Sequence, residues 1–161
     1  MLNIRHARLE EAKIIHQLAH LIYYPTYTGI LSKGQMDFML QKSYTEEALK
    51  ESMRTDQIFY LVLYNDIPVG FMALKEKDSR ILRIEKLYIL PETQGKGIGR
   101  ELTDFAQIQA QASGKAVLEL NVNRGNNAYE FYKKIGFKVV EEVDIPYYGY
   151  ILDDYVMQME I

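Results

Sequence analysis

The chain has 161 residues, of which 48% are hydrophobic and 25% charged, as expected for one globular domain. It contains no cysteine, so disulfides, thiolate metal sites and cysteine nucleophiles are excluded. Its 19 Lys and Arg against 22 Asp and Glu give a net charge of −3, which argues against a nucleic-acid or membrane-surface protein. No secretion signal and no membrane-spanning apolar run is visible, so we expect a cytoplasmic protein.

The N-terminal half predicts one strand, then three helices, then a run of strands. Apolar residues recur with helical periodicity from Glu10 to Tyr23, and Pro25 with Gly29 is expected to end this helix. Ser32 is a candidate N-cap for the second helix and residue 45 for the third. β-branched and aromatic runs between turn residues then indicate strands. The predicted ranges are strand 2–7, helices 10–23, 32–41 and 45–53, and strands 58–64, 68–74 and 81–90.

The C-terminal half alternates helices and strands. A glycine cluster opens a long helix, and a later glycine ends it. The predicted ranges are helix 97–113, strand 116–122, helix 126–135, and strands 137–143 and 150–161. This order predicts an α/β (α+β) protein, with a mixed sheet, helices on both faces and a β-α-β unit from Ile81 to Val122 at the centre. We expect residues 1–161 to form a single domain.

The most informative motif is Gln94-Gly95-Lys96-Gly97-Ile98-Gly99-Arg100, between a predicted strand and the first turn of a predicted helix. A helix N-terminus presents unpaired N–H groups with a partial positive charge, and glycines let a phosphate approach them. Lys96 and Arg100 add positive charge, so the motif predicts a pyrophosphate cradle. The P-loop pattern is absent, and Arg100 replaces the third glycine of a dinucleotide-binding fingerprint. Two interpretations of the motif remain: a coenzyme A site, or a tight turn that binds no ligand.

The glycine motif resembles the acetyl-CoA motif of the GNAT superfamily of N-acetyltransferases, Gln/Arg-x-x-Gly-x-Gly/Ala after the fourth strand. Residues 126–137, Asn-Asn-Ala-Tyr-Glu-Phe-Tyr-Lys-Lys-Ile-Gly-Phe, are similar to the second motif of that family, and the two motifs occur in the family's order and spacing. The resemblance implies a mixed, mostly antiparallel sheet of about seven strands with helices on both faces. It also implies an acetyl-CoA-dependent N-acetyltransferase that needs no metal.

Within that family the chain is similar to the bacterial spermidine/spermine acetyltransferase branch. This similarity rests on residues 44–49, on 84–89, and on Tyr148-Gly149-Tyr150 with Asp153-Asp154. It implies a primary amine as acceptor: a polyamine, a lysine-like small amine or a peptide amine. A non-catalytic acyl-CoA-binding sensor on the same fold is the alternative, and a homodimer stays open.

The resemblance also implies which residues bind the cofactor. The pantetheine arm would pair with the backbone of Leu87, Tyr88 and Ile89, where this strand splays from its neighbour. The full set of cofactor-binding residues is Leu87, Tyr88, Ile89, Gln94, Gly95, Lys96, Gly97, Ile98, Gly99, Arg100, Asn126, Asn127 and Lys134. Which of Asn126 and Asn127 contacts the cofactor stays open, because one of them is expected to cap its helix.

Two residues are catalytic candidates. A free alkylamine has a pKa of about 10.4 and must lose a proton before it attacks, so a carboxylate or a water chain is needed as base. Glu85 is the candidate carboxylate, and an ion pair with Arg83 or Lys86 is its structural alternative. By resemblance Tyr132 is the general acid for the leaving thiolate, and core packing is its alternative. Strict alternation would place Ile81, Arg83, Glu85, Leu87 and Ile89 on one face of the strand.

The acceptor cleft is expected between the N-terminal helices and the last two strands. The aromatic residues of that region are Tyr23, Tyr24, Tyr27, Tyr147, Tyr148 and Tyr150, and its carboxylates are Asp37, Glu85, Asp153 and Asp154. Aromatic faces together with carboxylates suit a cation. A polyamine or lysine-type amine is therefore the first choice, and a peptide N-terminus is the second.

Overall fold

The computed structural model describes all 161 residues, with seven strands and five helices. The strands are β1 (Leu2–His6), β2 (Ile58–Tyr64), β3 (Ile67–Glu76), β4 (Ile81–Ile89), β5 (Val117–Asn123), β6 (Lys138–Tyr147) and β7 (Tyr150–Glu160). The helices are α1 (Ala12–Tyr27), α2 (Lys33–Ser43), α3 (Glu46–Thr55), α4 (Ile98–Ala112) and α5 (Ala128–Lys134). None of these helices combines the length and the apolarity that a membrane span requires.

All seven strands form one sheet in the order β1-β2-β3-β4-β5-β7-β6. Only β4 and β5 are parallel, and α4 is the crossover between them. The prediction of a mixed, mostly antiparallel sheet is confirmed. Asn65 and Asp66 both adopt positive φ in the β2–β3 turn, and so do Tyr148 and Gly149 in the β6–β7 turn. Two-residue turns of this kind match the twist of antiparallel strands.

The helices cover both faces of the sheet, as predicted. On one face α1, α2 and α3 form a core with β2 and β3, in which Ile15 and Leu49 meet Phe71. On the other face α4 and α5 form a second core, in which Leu102 meets Leu118. The sheet therefore separates the N-terminal helices from the helix that follows the glycine motif.

Helix α1 runs through Tyr27, so the prediction that Pro25 ends it is wrong. Proline lacks an N–H and leaves only one carbonyl of the preceding turn, that of Leu21, without its helical partner. Leu21 and Pro25 are both exposed, so solvent can satisfy this carbonyl. The added turn brings Tyr27 to the inner surface, where its hydroxyl lies 3.1 Å from the hydroxyl of Tyr88.

Strand β4 carries a bulge at Glu85, which the β3–β4 register skips. An extra residue shifts the phase of a strand, so strict alternation fails here. Leu87 and Ile89 pack into the core beneath α4 and α5, whereas Arg83 lies on the opposite face against Glu119. The prediction that Leu87 and Ile89 share a face with Arg83 and Glu85 is therefore wrong. The residues of β4 that face α4 and α5 are Leu82, Ile84, Leu87 and Ile89.

Strands β4 and β5 separate beyond the bulge. Their parallel pairing covers only Ile81–Ile84 with Val117–Leu120. β4 continues along β3 to Ile89, whereas β5 continues along β7 as far as the pair of Asn123 with Asp154. The sheet thus opens into a wedge between two strands, next to the first turn of α4.

Candidate active site

One cavity of about 930 Å³ follows the wedge between β4 and β5 from the glycine motif to α1 and α2. It collects most of the residues that the sequence marks as functional. Those that line it are Glu85, Leu87, Tyr88, Ile89, Gln94, Gly95, Gly97, Ile98, Gly99, Arg100, Asn126, Asn127 and Tyr132. Two do not line it: Lys96, whose ammonium lies 5.4 Å from the centre of the Tyr64 ring, and Lys134, which is exposed on α5.

The glycine motif forms an open cradle. Gly95 and Gly97 have φ of +83° and +78°, and a Cβ on either would meet no atom within 4 Å. Helix α4 begins at Ile98, and the N–H groups of residues 98–100 donate to no backbone acceptor. Free N–H groups at a helix start, with open space above them, fit a phosphate. At position 99 glycine is favoured by packing instead. A Cβ added there would come within 3.2 Å of the Phe131 ring, where α4 and α5 meet.

The free edge of β4 continues from the cradle. Residues 85–89 have no partner on β5, and β3 pairs with the other side of residues 86–89. Gly70 on β3 permits this close pairing, because a Cβ there would lie 2.4 Å from the carbonyl oxygen of Tyr88. An unpaired strand edge binds an extended chain that carries amides. The cradle and the edge together therefore fit the diphosphate and the pantetheine arm of coenzyme A.

Asn126 and Asn127 line the cavity at the start of α5. The side-chain oxygen of Asn126 accepts from the Ala128 N–H at 2.9 Å, which organises the first turn of the helix. Asn126 thus has a structural role, whereas the side chain of Asn127 makes no capping hydrogen bond to the helix.

Tyr132 belongs to both the core and the cavity. Its ring packs edge-on against Phe131 and Phe137, and the residue also lines the cavity. Burial raises the pKa of its phenol to about 12, so the hydroxyl stays protonated at neutral pH. The structure thus places a protonated, buried hydroxyl at the wall of the wedge.

A cluster of tyrosines forms the wall opposite α5. Tyr23 and Tyr88 are each an aromatic neighbour of Tyr27, of Tyr44 and of one another, with ring centres between 4.6 and 6.5 Å apart. Burial raises the phenol pKa of each of them. The four rings leave an apolar wall that carries a few neutral hydroxyl groups. Tyr44 was not among the predicted cleft residues. It lies between α2 and α3, where no helical periodicity indicates which way its side chain points.

Only two of the four predicted cleft carboxylates line the cavity, Glu85 and Asp154. Asp37 is held outside it by Lys33 and Tyr24. Asp153 accepts from the side-chain amide of Asn123 at 3.1 Å. Of the six predicted tyrosines, Tyr23, Tyr27 and Tyr147 line the cavity. Tyr148 and Tyr150 instead pack on Phe38 of α2, and Tyr24 is bonded to Asp37.

The two cavity carboxylates are the ends of one chain of polar contacts. The guanidinium of Arg83 bonds Glu85 at 3.3 Å and the side-chain oxygen of Asn121 at 2.9 Å. The amide of Asn121 donates to Asp154 at 3.3 Å. Arg83 also pairs with the buried Glu119. The Arg83–Glu85 ion pair is one of the two structural alternatives named for Glu85 from the sequence. Asn121 was missed, although polar residues at 119, 121 and 123 alternate along a buried strand and indicate a polar stripe.

Lys86 is a buried cation next to this chain. Its ammonium donates to the Gln57 side chain at 2.7 Å and lies over the rings of Phe59 and Tyr44. Burial lowers its pKa to about 8. Lys86 also lines the cavity, and its ammonium is held toward the end of α3 by this hydrogen bond.

Two relatives of known name match most of the chain. It is 31% identical over 147 residues to the peptidyl-lysine N-acetyltransferase YjaB of Salmonella typhimurium, covering 89% of this chain and 90% of the relative. It is 28% identical over 151 residues to the spermidine N(1)-acetyltransferase of Thermoplasma acidophilum, covering 89% and 91%.

A solved structure matches the whole fold. The crystal structure of the PaiA N-acetyltransferase of Thermoplasma acidophilum in complex with coenzyme A superposes with a TM-score of 0.86 at 26% identity, covering 100% of this chain and 99% of the other. The acetyltransferase (GNAT) domain family matches residues 28–147, which hold the glycine motif and both strands of the wedge. The chain therefore belongs to the GNAT family of acetyltransferases.

Proposed function

We propose that this chain transfers the acetyl group of acetyl-CoA to a primary amine of polyamine or lysine type, the latter free or in a peptide. The observation that carries the proposal is one continuous cavity. It joins a phosphate cradle and a free strand edge to an aromatic pocket with two carboxylates. We also propose that residues 1–161 act as one N-acetyltransferase domain.

In this proposal the backbone binds the cosubstrate. The N–H groups at the start of α4 hold the diphosphate, and Arg100 adds charge beside them. Leu87, Tyr88 and Ile89 offer the N–H and C=O groups of their free edge to the pantetheine amides. This arrangement directs the thioester toward the bulge at Glu85, where the wedge narrows.

The far end of the cavity suits a cationic acceptor. Glu85 and Asp154 supply negative charge, and the faces of Tyr23, Tyr27 and Tyr147 surround them. Aromatic faces and carboxylates attract an ammonium group. The relatives named for spermidine and for peptidyl-lysine acetylation act on acceptors of this chemistry.

Two proton steps are assigned to side chains. A cavity carboxylate takes a proton from the ammonium, and Glu85 is the candidate that the sequence favours. Tyr132 donates its proton to the departing thiolate. Its phenol is a weak acid at a pKa of about 12, but the desolvation that raises this pKa also raises that of a thiol in the same site.

The acceptor class is tested by comparing amines at equal concentration. Purified protein is given acetyl-CoA with spermidine, spermine, lysine or a lysine-containing peptide, and thiol release is followed with a thiol-reactive dye. We expect faster release with these cations than with neutral or anionic acceptors. Preference for an anionic acceptor would refute the amine assignment. Tight binding of acetyl-CoA without thiol release for any acceptor would favour an acyl-CoA sensor.

A further inference from the structure

We propose that Asp154, rather than Glu85, accepts the proton from the acceptor amine. The inference rests on the proposed function and assigns one of its steps. Asp154 lies on β7, across the wedge from the bulge of β4, and lines the same cavity as Glu85 and Tyr132. Of the four carboxylates expected near the cleft, only Glu85 and Asp154 line the cavity, and these two differ in their direct partners.

The difference between the two cavity carboxylates lies in their partners. Glu85 has a cation directly beside it, since the Arg83 guanidinium is 3.3 Å away. This ion pair ties the Glu85 carboxylate to a fixed positive charge. The direct side-chain partner of Asp154 is the neutral amide of Asn121, at 3.3 Å. Asp154 is therefore the cavity carboxylate that forms no direct ion pair, although the Arg124 guanidinium donates to its backbone carbonyl at 3.3 Å.

The surroundings of Asp154 favour its protonated form. Burial raises its pKa, the charge of Asp153 adds to this shift, and the Asn121 bond, Arg124 and Arg83 oppose it. Tyr23 of α1 faces it and stays neutral. The charged and titratable groups around it are Asp153 on β7, Arg124 after β5, Arg83 on β4 and Tyr23 on α1. Higher basicity brings the carboxylate closer to its task as a general base.

The proton balance closes with these groups. The ammonium gives one proton to the Asp154 carboxylate, and the resulting neutral nitrogen forms the new C–N bond as the C–S bond breaks. Tyr132 protonates the thiolate and is reprotonated by the second proton that leaves the nitrogen. Asp154 releases its proton to solvent, so each turnover gives one amide, one thiol and one proton. Glu85 attracts the cation.

The inference predicts a change in the shape of a pH profile. An enzyme that deprotonates a bound ammonium has a kcat/KM that is flat between the pKa of its base and that of the amine. Without the base only the free neutral amine reacts, and log kcat/KM then rises by about one per pH unit up to about pH 10. A residue that only supports the fold would lower the profile without changing its slope.

The experiment compares Asp154→Asn with Asp153→Asn, the neighbouring carboxylate that lies outside the cavity. The acceptor is whichever of spermidine, lysine and a lysine-containing peptide gives most thiol release with the unsubstituted protein. We expect Asp154→Asn to lower kcat at pH 7 by about 10² to 10⁴-fold, to acquire the rising profile, and to bind acetyl-CoA normally. Asp153→Asn should keep the flat profile, and Asp154→Glu should restore part of the rate.

Glu85→Gln separates the two carboxylates. We expect it to raise KM for the amine and to keep the flat profile. A flat profile in Asp154→Asn, or a rising one only in Glu85→Gln, would overturn the assignment of Asp154 and leave the proposed function standing. No thiol release by the unsubstituted protein with any acceptor would overturn the proposed function and this inference together.

Discussion

Tyr132 shows how one side chain serves packing and chemistry together. Its ring fills the space between Phe131 and Phe137, and its residue borders the wedge. Both alternatives that the sequence allows, core residue and proton donor, are therefore compatible with its position. Only a change that keeps the ring and removes the hydroxyl separates them.

Tyr132→Phe provides this separation. If the hydroxyl protonates the thiolate, kcat should fall by about 10 to 10⁴-fold, whereas acetyl-CoA affinity should barely change. Steady-state kinetics and calorimetric titration measure the two quantities. Tyr129→Phe is the matched control, because Tyr129 lies on the same helix and its ring stacks on Tyr155. Full turnover in Tyr132→Phe would show that water supplies the proton.

At single residues the sequence identified candidates but not their environments. Glu85 and Tyr132 lie in the cavity as expected, and the Arg83–Glu85 ion pair is an alternative that the sequence analysis named, but the contacts that join Glu85 to Asp154 were not predicted. Arg83 reaches Asn121 across the wedge, and Asn121 reaches Asp154. Such contacts depend on the pairing of β5 with β4 on one side and with β7 on the other, and residue patterns do not specify these registers.

Helix α4 and the loop before it are the element on which cosubstrate binding depends. The chain turns at Gly97 with positive φ so that free N–H groups face open space. A carboxylate there would occupy the cradle and repel a diphosphate. Any residue with a side chain at position 97 would also be strained at this φ, by roughly 1–2 kcal/mol.

Gly97→Glu should abolish acetyl-CoA binding in a folded protein. Gly114→Glu is its control, because Gly114 has φ of +74° with no atom within 4 Å of a Cβ and follows the other end of α4. The two variants share the backbone strain and the added charge, and they differ in their distance from the cradle. Calorimetric titration reports affinity, and circular dichroism reports folding. Equal affinity in both variants would contradict a phosphate site at the start of α4.

The junction of β1 and α1 predicts how stability depends on pH. Glu11 is buried and accepts two bonds from Arg5, of 2.8 and 2.7 Å, and one from the Arg8 N–H. Bonding to Arg5, helped by the Arg8 N–H and opposed by burial, lowers the pKa of Glu11 from 4.5 to about 2. Because the folded pKa is lowered, this contribution is complete above pH 4.5 and is lost as pH falls toward 2.

Glu11→Gln should therefore lower the free energy of unfolding at pH 7 by about 1–3 kcal/mol. It should also flatten the decline in stability between pH 4.5 and 2. Urea denaturation at a series of pH values measures both effects. Glu10→Gln is the exposed control and should leave the curve unchanged. If the free energy of unfolding of Glu11→Gln still fell steeply in acid, other carboxylates would be responsible for the decline.

Element boundaries were predictable where local chemistry sets them. Ser32 and Thr45 accept from the N–H three residues later, both at 3.1 Å, and begin α2 and α3 as expected. The end of α1 and the bulge of β4 were not predictable, because tertiary packing decides them. Pro25 lies on an exposed face, where water can satisfy the carbonyl that it leaves free. The single unpaired residue of β4 leaves no signal in the alternation of apolar and polar residues.

At the scale of the whole molecule the order of elements predicted a mixed sheet with helices on both faces and a central β-α-β unit, and the family resemblance added a mostly antiparallel sheet of about seven strands. A β-α-β unit within hairpins predicts one parallel pair in an antiparallel sheet, and β4-α4-β5 provides it. The insertion of β7 between β5 and β6 was not predictable from chain order, although it brings Asp154 to the wedge. The cosubstrate half of the site is built from consecutive residues, whereas the acceptor half is built from distant ones.

Amine-dependent thiol release from acetyl-CoA is the most direct test of an acetyl-transfer site in the β4–β5 wedge. Purified protein is mixed with acetyl-CoA, and release of the free thiol is followed with and without spermidine, lysine or a lysine-containing peptide. We predict release that needs both the protein and an amine, with one acetylated amine formed per thiol. No release with any amine, or release that is equally fast without one, would contradict the proposed transfer.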